Sequence, residues 1–393
     1  MNGKRILLCC NRTLSIGGIE KALTTFLRAL DTKNNEVLLV LHDQNGALHQ
    51  DLPLEDMEVF YTNTISPSQI LKDDLKSLRI HRVIQGLWYR IRLRLESDWY
   101  ARIMHTYKII QRQLIFPGHF DCAISFTTDY SDLAMICSVD ADKRICFVHG
   151  DATRGKRAAR LNDQLVRQLD KIYAVSEQAK DLFLQVHPRC QGAVDVLHNV
   201  IIPEDILAKA QAPAEGMTLD GTTTLCTVGR LSPEKGQQMI PEAIRILHSR
   251  GYDLRWYLVG DGPLRPQLEE AIRTNGLQQS VFLLGAKTNP YPYIDACHIY
   301  VQTSLSEAYC LTVAEARILC KPIITTDAPG LREQIIHGKN GLLLDAMTPE
   351  ALADGICALL DDPQLRKSFT AELEKANQIP AHPLQKLYDF ITS

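Results

Sequence analysis

The sequence points to an α/β protein of two domains, each built on a parallel sheet. Three observations lead there. The chain has 393 residues, a length that favours two domains. Short apolar runs alternate with helix-like stretches, the pattern of strand–helix–strand units. That alternation halts in a polar stretch at 203–221, which carries Pro203, Pro213, Gly216 and Gly221, and then starts again. Domains are therefore expected at 1–202 and 203–381, with 203–221 as the linker.

In the first half, Ile6–Cys10, Val37–Leu41, Asp121–Phe126, Arg144–Val148, Lys171–Val175 and Val194–Leu197 read as buried strands. The turn Asn11–Gly18 precedes a helix running through Leu30, and its paired Gly17 and Gly18 would let the backbone approach a ligand. A plain turn is the alternative. Ser176 caps the helix that opens at Glu177. His149 stands at the end of the Arg144–Val148 strand, the edge where parallel sheets bind ligands. A structural histidine is the other reading of that position.

Residues 69–116 interrupt the alternation with a long helical pattern. From Lys72 to Arg112 there are ten Lys/Arg against four acids, a balance of +6. Such a basic amphipathic stretch can lie on an anionic membrane surface, or pack as a helical pair with a solvated basic face.

In the second half, strands are expected at Leu225–Val228, Leu254–Val259, Val281–Leu284, 299–302, Ile323–Thr325 and Leu342–Leu344. Helices are expected at 237–249, 264–274, around Tyr293, up to about Leu319, and at 349–360. The strand ends carry Gly229-Arg230, Gly260-Asp261-Gly262 and Thr303–Cys310, all on one sheet edge. Arg230 and Lys235 lie five apart across a proline turn and could neutralise a diphosphate. After the strand ending at 302, Glu307 stands in the turn, while Leu311 and Thr312 open a helix that contains Glu315. Free N–H groups at a helix start suit phosphate, and flanking carboxylates suit a ligand that also carries hydroxyls. A loop glutamate and a solvated helix glutamate form the plainer alternative.

Composition bounds the class. Apolar residues at 45% and charged residues at 23% are ordinary for a globular protein. A net charge of −3 gives no electrostatic reason to expect a nucleic-acid partner. The eleven cysteines include no C-x-x-C, so buried reduced thiols and a cytoplasmic setting are expected, with no metal cluster. No apolar run reaches membrane-spanning length.

In their order along the chain, these motifs resemble the family 4 retaining glycosyltransferases. The matching pieces are Gly17-Gly18-Ile19-Glu20, Val148-His149-Gly150, Val175-Ser176-Glu177, Asn199-Val200, Val228 to Gly236, Val259 to Leu264, the pair Glu307 and Glu315, and Gly338-Lys339-Asn340-Gly341. The second half matches nearly throughout and the first only at scattered motifs. The resemblance implies the GT-B fold, two facing Rossmann-like domains with an interdomain cleft. The first would be the acceptor side, and the last helix, 382–393, would pack back on it. The second would bind a nucleotide sugar.

The same resemblance implies that Arg230 and Lys235 bind the diphosphate and stabilise the leaving nucleotide. Glu307 would contact the donor sugar, Glu315 the ribose, and backbone N–H groups at Leu311 and Thr312 the phosphates. Gly17 and Gly18 would approach the donor, and His149 would sit by the reacting carbon. It implies hexosyl transfer with retention, no metal or other cofactor, and a glycan or lipid-linked acceptor in surface polysaccharide or glycolipid assembly. It also fits peripheral contact of 69–116 with the inner face of a membrane. Two departures stand out: Ala308 and Cys310 where the family often has glycine, and Ala328-Pro329-Gly330 in place of a Gly-Gly turn. A non-catalytic nucleotide-sugar-binding scaffold and a nucleotide-sugar epimerase remain the alternatives.

Overall fold

The computed structural model describes residues 3–62, 118–150, 163–377 and 384–393. The basic stretch 69–116 lies outside them, and its expected membrane contact with it. The chain divides into two compact units: Met1–Val175, Lys180–Leu197 and Leu384–Ser393 form one, Ser176–Ala179 and His198–Pro383 the other.

The sheet of the first unit contains β1 (Arg5–Cys10), β2 (Glu36–Leu41), β3 (Glu58–Tyr61), β4 (Phe120–Ser125), β5 (Ala141–Val148), β6 (Lys171–Ala174) and β7 (Val194–Val196). Their order is β3-β2-β1-β4-β5-β6-β7, with every pair parallel. The chain thus winds outward from β1 in one direction and from β4 in the other. The crevice between those two strands is the topological switch point, where side chains from both halves meet. Helices α1 (Gly18–Ala29), α2 (Tyr130–Ile136) and α3 (Glu177–Val186) follow β1, β4 and β6. Ser176 Oγ accepts the Ala179 N–H at 2.9 Å, the cap expected for α3.

The second unit opens with a correction. Pro203–Ala210, expected to be linker, is a helix, α4. Proline at its first turn loses no intrahelical bond there, and Glu204 and Asp205 sit at the positive dipole end. Ile206 and Ala210 are one turn apart and buried. The sheet has β8 (Thr223–Val228), β9 (Leu254–Val259), β10 (Val281–Gly285), β11 (Ile299–Gln302), β12 (Ile323–Thr326) and β13 (Leu342–Leu344). Their order is β10-β9-β8-β11-β12-β13, again all parallel, so the switch point lies between β8 and β11.

Both faces of this sheet are covered, and the pleat sorts its residues. Leu225, Trp256, Leu258, Ile299 and Val301 pack with helices α5 (Ile240–Ser249) and α6 (Arg265–Thr274). Cys226, Val228, Val259 and Tyr300 point the other way, towards α4, α7 (Tyr291–Ala296) and α8 (Leu311–Ile318). Alternation between two buried faces explains why these strands read as continuous apolar runs. Helices α9 (Pro329–Arg332), α10 (Pro349–Asp361) and α11 (Pro363–Asn377) complete the unit. All eleven cysteines are free thiols. No helix among the described residues is long and apolar enough to cross a membrane.

The last helix, α12 (Gln385–Thr392), belongs to the first unit. Leu384 and Leu387 are fully buried and Ile391 nearly so. Tyr388 Oη accepts the Asp31 N–H at 3.0 Å, and Lys143 Nζ donates to the Phe390 carbonyl at 2.5 Å. Leu387→Ala is expected to destabilise the first unit by about 2–5 kcal/mol. Hydrogen exchange should then speed up in β1–β7 and not in β8–β13. Equal acceleration in both sheets would refute this placement.

Candidate functional site

The candidate residues fall into two sets, one in each unit. In the second unit they gather where the switch point places them. Lys235 follows β8 and Glu307 follows β11, so the loops carrying them leave neighbouring strands. Three bonds join these loops: Thr303 Oγ1 donates to the Lys235 carbonyl at 2.8 Å, the Leu305 N–H to the Glu234 carbonyl at 2.9 Å, and Lys235 Nζ to Glu307 Oε1 at 2.6 Å. Gly236 makes the approach possible. Its φ is +67°, and a Cβ there would stand 2.1 Å from the Thr303 carbonyl oxygen.

The pair is largely withdrawn from water, with side-chain exposures of 23% for Lys235 and 9% for Glu307. Burial pulls the Lys235 ammonium pKa down, but Glu307 and its neighbours outweigh it and hold the pKa above its ordinary value. Lys235 therefore stays charged. Glu307 Oε1 also accepts from Ser304 Oγ at 2.7 Å, and Ser304 Oγ accepts from Gln302 Nε2 at 2.7 Å.

Arg230 is exposed, and among the described residues its guanidinium makes no hydrogen bond or ion pair. Its carbonyl is fixed by Gln237 Nε2 at 2.8 Å, and its charge helps lower the pKa of Glu234. Glu315 is 2% exposed, which excludes the solvated-helix alternative. Leu311 and Thr312 are the first residues of α8, so their N–H groups precede the intrahelical ladder. The Thr312 hydroxyl turns inward, 3.4 Å from Gln302 Oε1 and 3.4 Å from Cys310 Sγ.

Cys310 has φ +70°, and it and Cys320 are the non-glycine residues with positive φ among those described. Glycine is the residue that adopts such a left-handed backbone most readily, and this chain imposes it on cysteine. Burial, with Glu307 beside it, pushes the thiol up to about 12, so it is protonated and inert. The second departure is benign. Ala328 has φ −77°, which any residue accepts. The glycine that matters is Gly330, where a Cβ would lie 2.4 Å from the Glu307 carbonyl oxygen. Gln334 then binds the Tyr309 and Cys310 carbonyls, pinning the loop from below.

In the first unit, Gly17 caps α1 with extended backbone, and a Cβ on Gly18 would meet nothing within 4 Å. Arg12, unmarked by any motif, donates to Asp129 at 3.0 Å and lies 3.7 Å from Glu20. It thereby ties the turns after β1 and β4 to the first turn of α1. His149 packs its ring 4.6 Å from Phe126. Among the described residues its buried Nε2 has no hydrogen-bond partner. Asp132, also missed, is fully buried and accepts from Thr127 Oγ1 at 2.9 Å and the Asn11 N–H at 3.1 Å.

Two doubly wound parallel sheets, the second with a charged pair at its switch point, place the chain in the GT-B class. The stretch 213–376 matches the model of the glycosyl transferases group 1 family and belongs to it. The alpha-D-kanosaminyltransferase of Streptomyces kanamyceticus is 27% identical over 225 residues, 55% of this chain and 57% of its own. The N-acetylgalactosamine-N,N'-diacetylbacillosaminyl-diphospho-undecaprenol 4-alpha-N-acetylgalactosaminyltransferase of Campylobacter jejuni is 29% identical over 176 residues, 44% of this chain and 46% of its own. The chain spans about half the length of the curated relatives it matches. Among solved structures, Anabaena HepE in complex with UDP superimposes with a TM-score of 0.72 at 19% identity, covering 99% of each chain. A glycosyltransferase from Rickettsia africae gives 0.74 at 17%, covering 100% of this chain and 98% of its own. At these identities the structures speak for the fold alone.

Two expectations follow from the geometry. Gly236→Ala forces a side chain into left-handed backbone and against the Thr303 carbonyl, and should cost more than about 2 kcal/mol in urea unfolding. A loss below 0.5 kcal/mol would show that the two loops are not coupled. The second concerns acid. Burial, reinforced by Arg12, lowers His149 from 6.5 to about 4, so its contribution to stability grows as pH rises through that window. Burial raises Asp132 from 3.8 to about 6, so its contribution falls over nearly the same range. The two slopes oppose each other. Asp132→Asn should leave a rise of about 3 kcal/mol between pH 4 and 6.5, and His149→Gln a fall of similar size. Parallel pH profiles for wild type and both variants would contradict this.

Proposed function

We propose that this protein is a retaining glycosyltransferase that moves a hexose from a nucleotide-diphosphate sugar to a hydroxyl acceptor. The observation that carries the reading is the withdrawn Lys235–Glu307 pair at the β8/β11 switch point, with Arg230 exposed on the same edge and the first N–H groups of α8 following Glu307. The anionic part of such a donor meets Lys235, Arg230 and the helix start, while Glu307 meets sugar hydroxyls and Glu315 the ribose. Charge develops on the departing diphosphate, and cations fixed in advance stabilise it where it forms. This scheme routes no step through a metal or other cofactor.

The residues of the first unit take roles in the same reading. Gly17, Gly18 and His149 are the donor-side residues this reading expects of the first unit, with His149 held neutral by burial. Retention by double displacement would need a carboxylate on the far face of the sugar. We assign none, and favour attack of the acceptor hydroxyl on the face the diphosphate leaves. A structural neighbour in complex with UDP-glucose and a relative named for a diphospho-undecaprenol acceptor support UDP-hexose donors and a glycan or lipid-linked acceptor.

Purified protein incubated with UDP-hexoses and a lipid-linked or glycan acceptor should release UDP in an acceptor-dependent way. The product should keep the donor's anomeric configuration by NMR, and EDTA should leave the rate unchanged. Lys235→Ala and Glu307→Ala should each lower kcat/KM by roughly 100-fold or more while circular dichroism stays unchanged. Full activity in either variant sinks the assignment. Binding without turnover would mean a scaffold, and donor interconversion without UDP release an epimerase.

A further inference from the structure

Glu307 is anchored by more than its lysine. Tyr300 and Gln302 occupy alternate positions at the end of β11, which brings them to one side, and Ser304 follows two residues beyond the strand. They are 0%, 1% and 0% exposed. Tyr300 Oη donates to Gln302 Oε1 at 2.8 Å, Gln302 Nε2 to Ser304 Oγ at 2.7 Å, and Ser304 Oγ to Glu307 Oε1 at 2.7 Å. Buried polar groups are costly unless satisfied, and one direction of proton donation satisfies this row. Serine has a single proton, and the carboxylate is the stronger acceptor beside it. Ser304 therefore donates to Glu307 and must accept from the amide. That turns Nε2 of Gln302 towards Ser304 and leaves its Oε1 for Tyr300 and Thr312.

The outcome for Glu307 is asymmetric. Oε1 receives both the Lys235 ammonium and the Ser304 hydroxyl. Oε2 has no hydrogen-bond partner among the described residues. The carboxylate can neither spin nor exchange its oxygens without breaking two short bonds.

We infer that Tyr300, Gln302 and Ser304 form a one-way hydrogen-bond relay that fixes the Glu307 carboxylate, reserving Oε2 for a hydroxyl of the donor sugar. Ser304 is the decisive positioning residue. The inference rests on the reading of Glu307 as the sugar contact. It adds that a serine remote from the ligand governs how strongly the sugar, as distinct from the nucleotide, is held. Of the groups that meet the nucleotide's diphosphate, the relay reaches Lys235 only through Glu307 and Thr312 only at its hydroxyl, and it leaves Arg230 and the backbone N–H groups of the helix start untouched.

The test compares UDP with UDP-glucose, UDP-galactose and UDP-N-acetylglucosamine by calorimetry. The wild type should bind at least one sugar nucleotide more tightly than UDP. In Ser304→Ala that gain should shrink about tenfold, the worth of a hydrogen bond to a charged group, while UDP affinity stays within about twofold. Tyr300→Phe conserves volume and should shrink it by about two- to threefold. Adding Ser304→Ala to Glu307→Gln should cost nothing further, because the relay acts only through that carboxylate. If Ser304→Ala does not fold, Tyr300→Phe carries the test. A wild-type gain that survives intact in the folded variants overturns the relay and leaves the proposed function standing. A wild type that binds none of these sugars better than UDP overturns both.

Discussion

The ion pair between Lys235 and Glu307 is the constraint on which the second unit's functional edge depends. Two charges withdrawn from water are expensive, and their mutual attraction compensates only when geometry is good and the remaining lone pairs are occupied. The geometry here is good: the contact is 2.6 Å, Ser304 supplies a second bond to the same oxygen, and Oε2 is the position left for a ligand to fill. The pair also has to be carried by loops that leave adjacent strands. Parallel winding outward from β8 and β11 supplies that adjacency. The loops then need Gly236 and Gly330 to come close enough, since backbone oxygens occupy the space a Cβ would take at either position.

The first unit solves a different problem. The turns after β1, β4 and β5 collect two groups whose titration burial shifts and one guanidinium held by carboxylates. His149 is kept neutral, Asp132 is pushed towards its protonated form, and Arg12 is anchored between Asp129 and Glu20. Arg12 links the glycine turn, the first turn of α1 and the β4–α2 turn through one planar group. A lysine could not span these partners with the same geometry. The paired glycines are therefore set on a rigid edge, although neither needs an unusual backbone angle.

Much of this was legible beforehand. The strands at Ile6–Cys10, Leu254–Val259 and 299–302 lie where period and length put them, and the Ser176 cap was a local signal with a local cause. β3 escaped notice because its four residues, Glu58–Tyr61, are short and only partly buried. The 203–221 stretch misled because its prolines and glycines read as linker. Pro203 is instead a helix-opening residue whose partner in the argument, the buried face of Ile206 and Ala210, depends on α7 and α8 being there to cover it. Cys310 showed as a departure from a glycine pattern, and only the backbone angle says what it departs into.

By itself, the sequence determined two parallel α/β units and the residue types at the strand ends, because hydrophobic period, caps and turn residues act within a few positions of one another. It also determined which charges could serve an anionic, hydroxyl-bearing ligand. Tertiary structure decided which of those charges meet. Lys235 and Glu307 are 72 residues apart and join only because β8 and β11 are neighbours in the sheet. It likewise decided which oxygen of Glu307 is left available and which groups lose their solvent. Pairing, desolvation and the direction of a hydrogen bond are properties of what lies across space, and no window of sequence contains them.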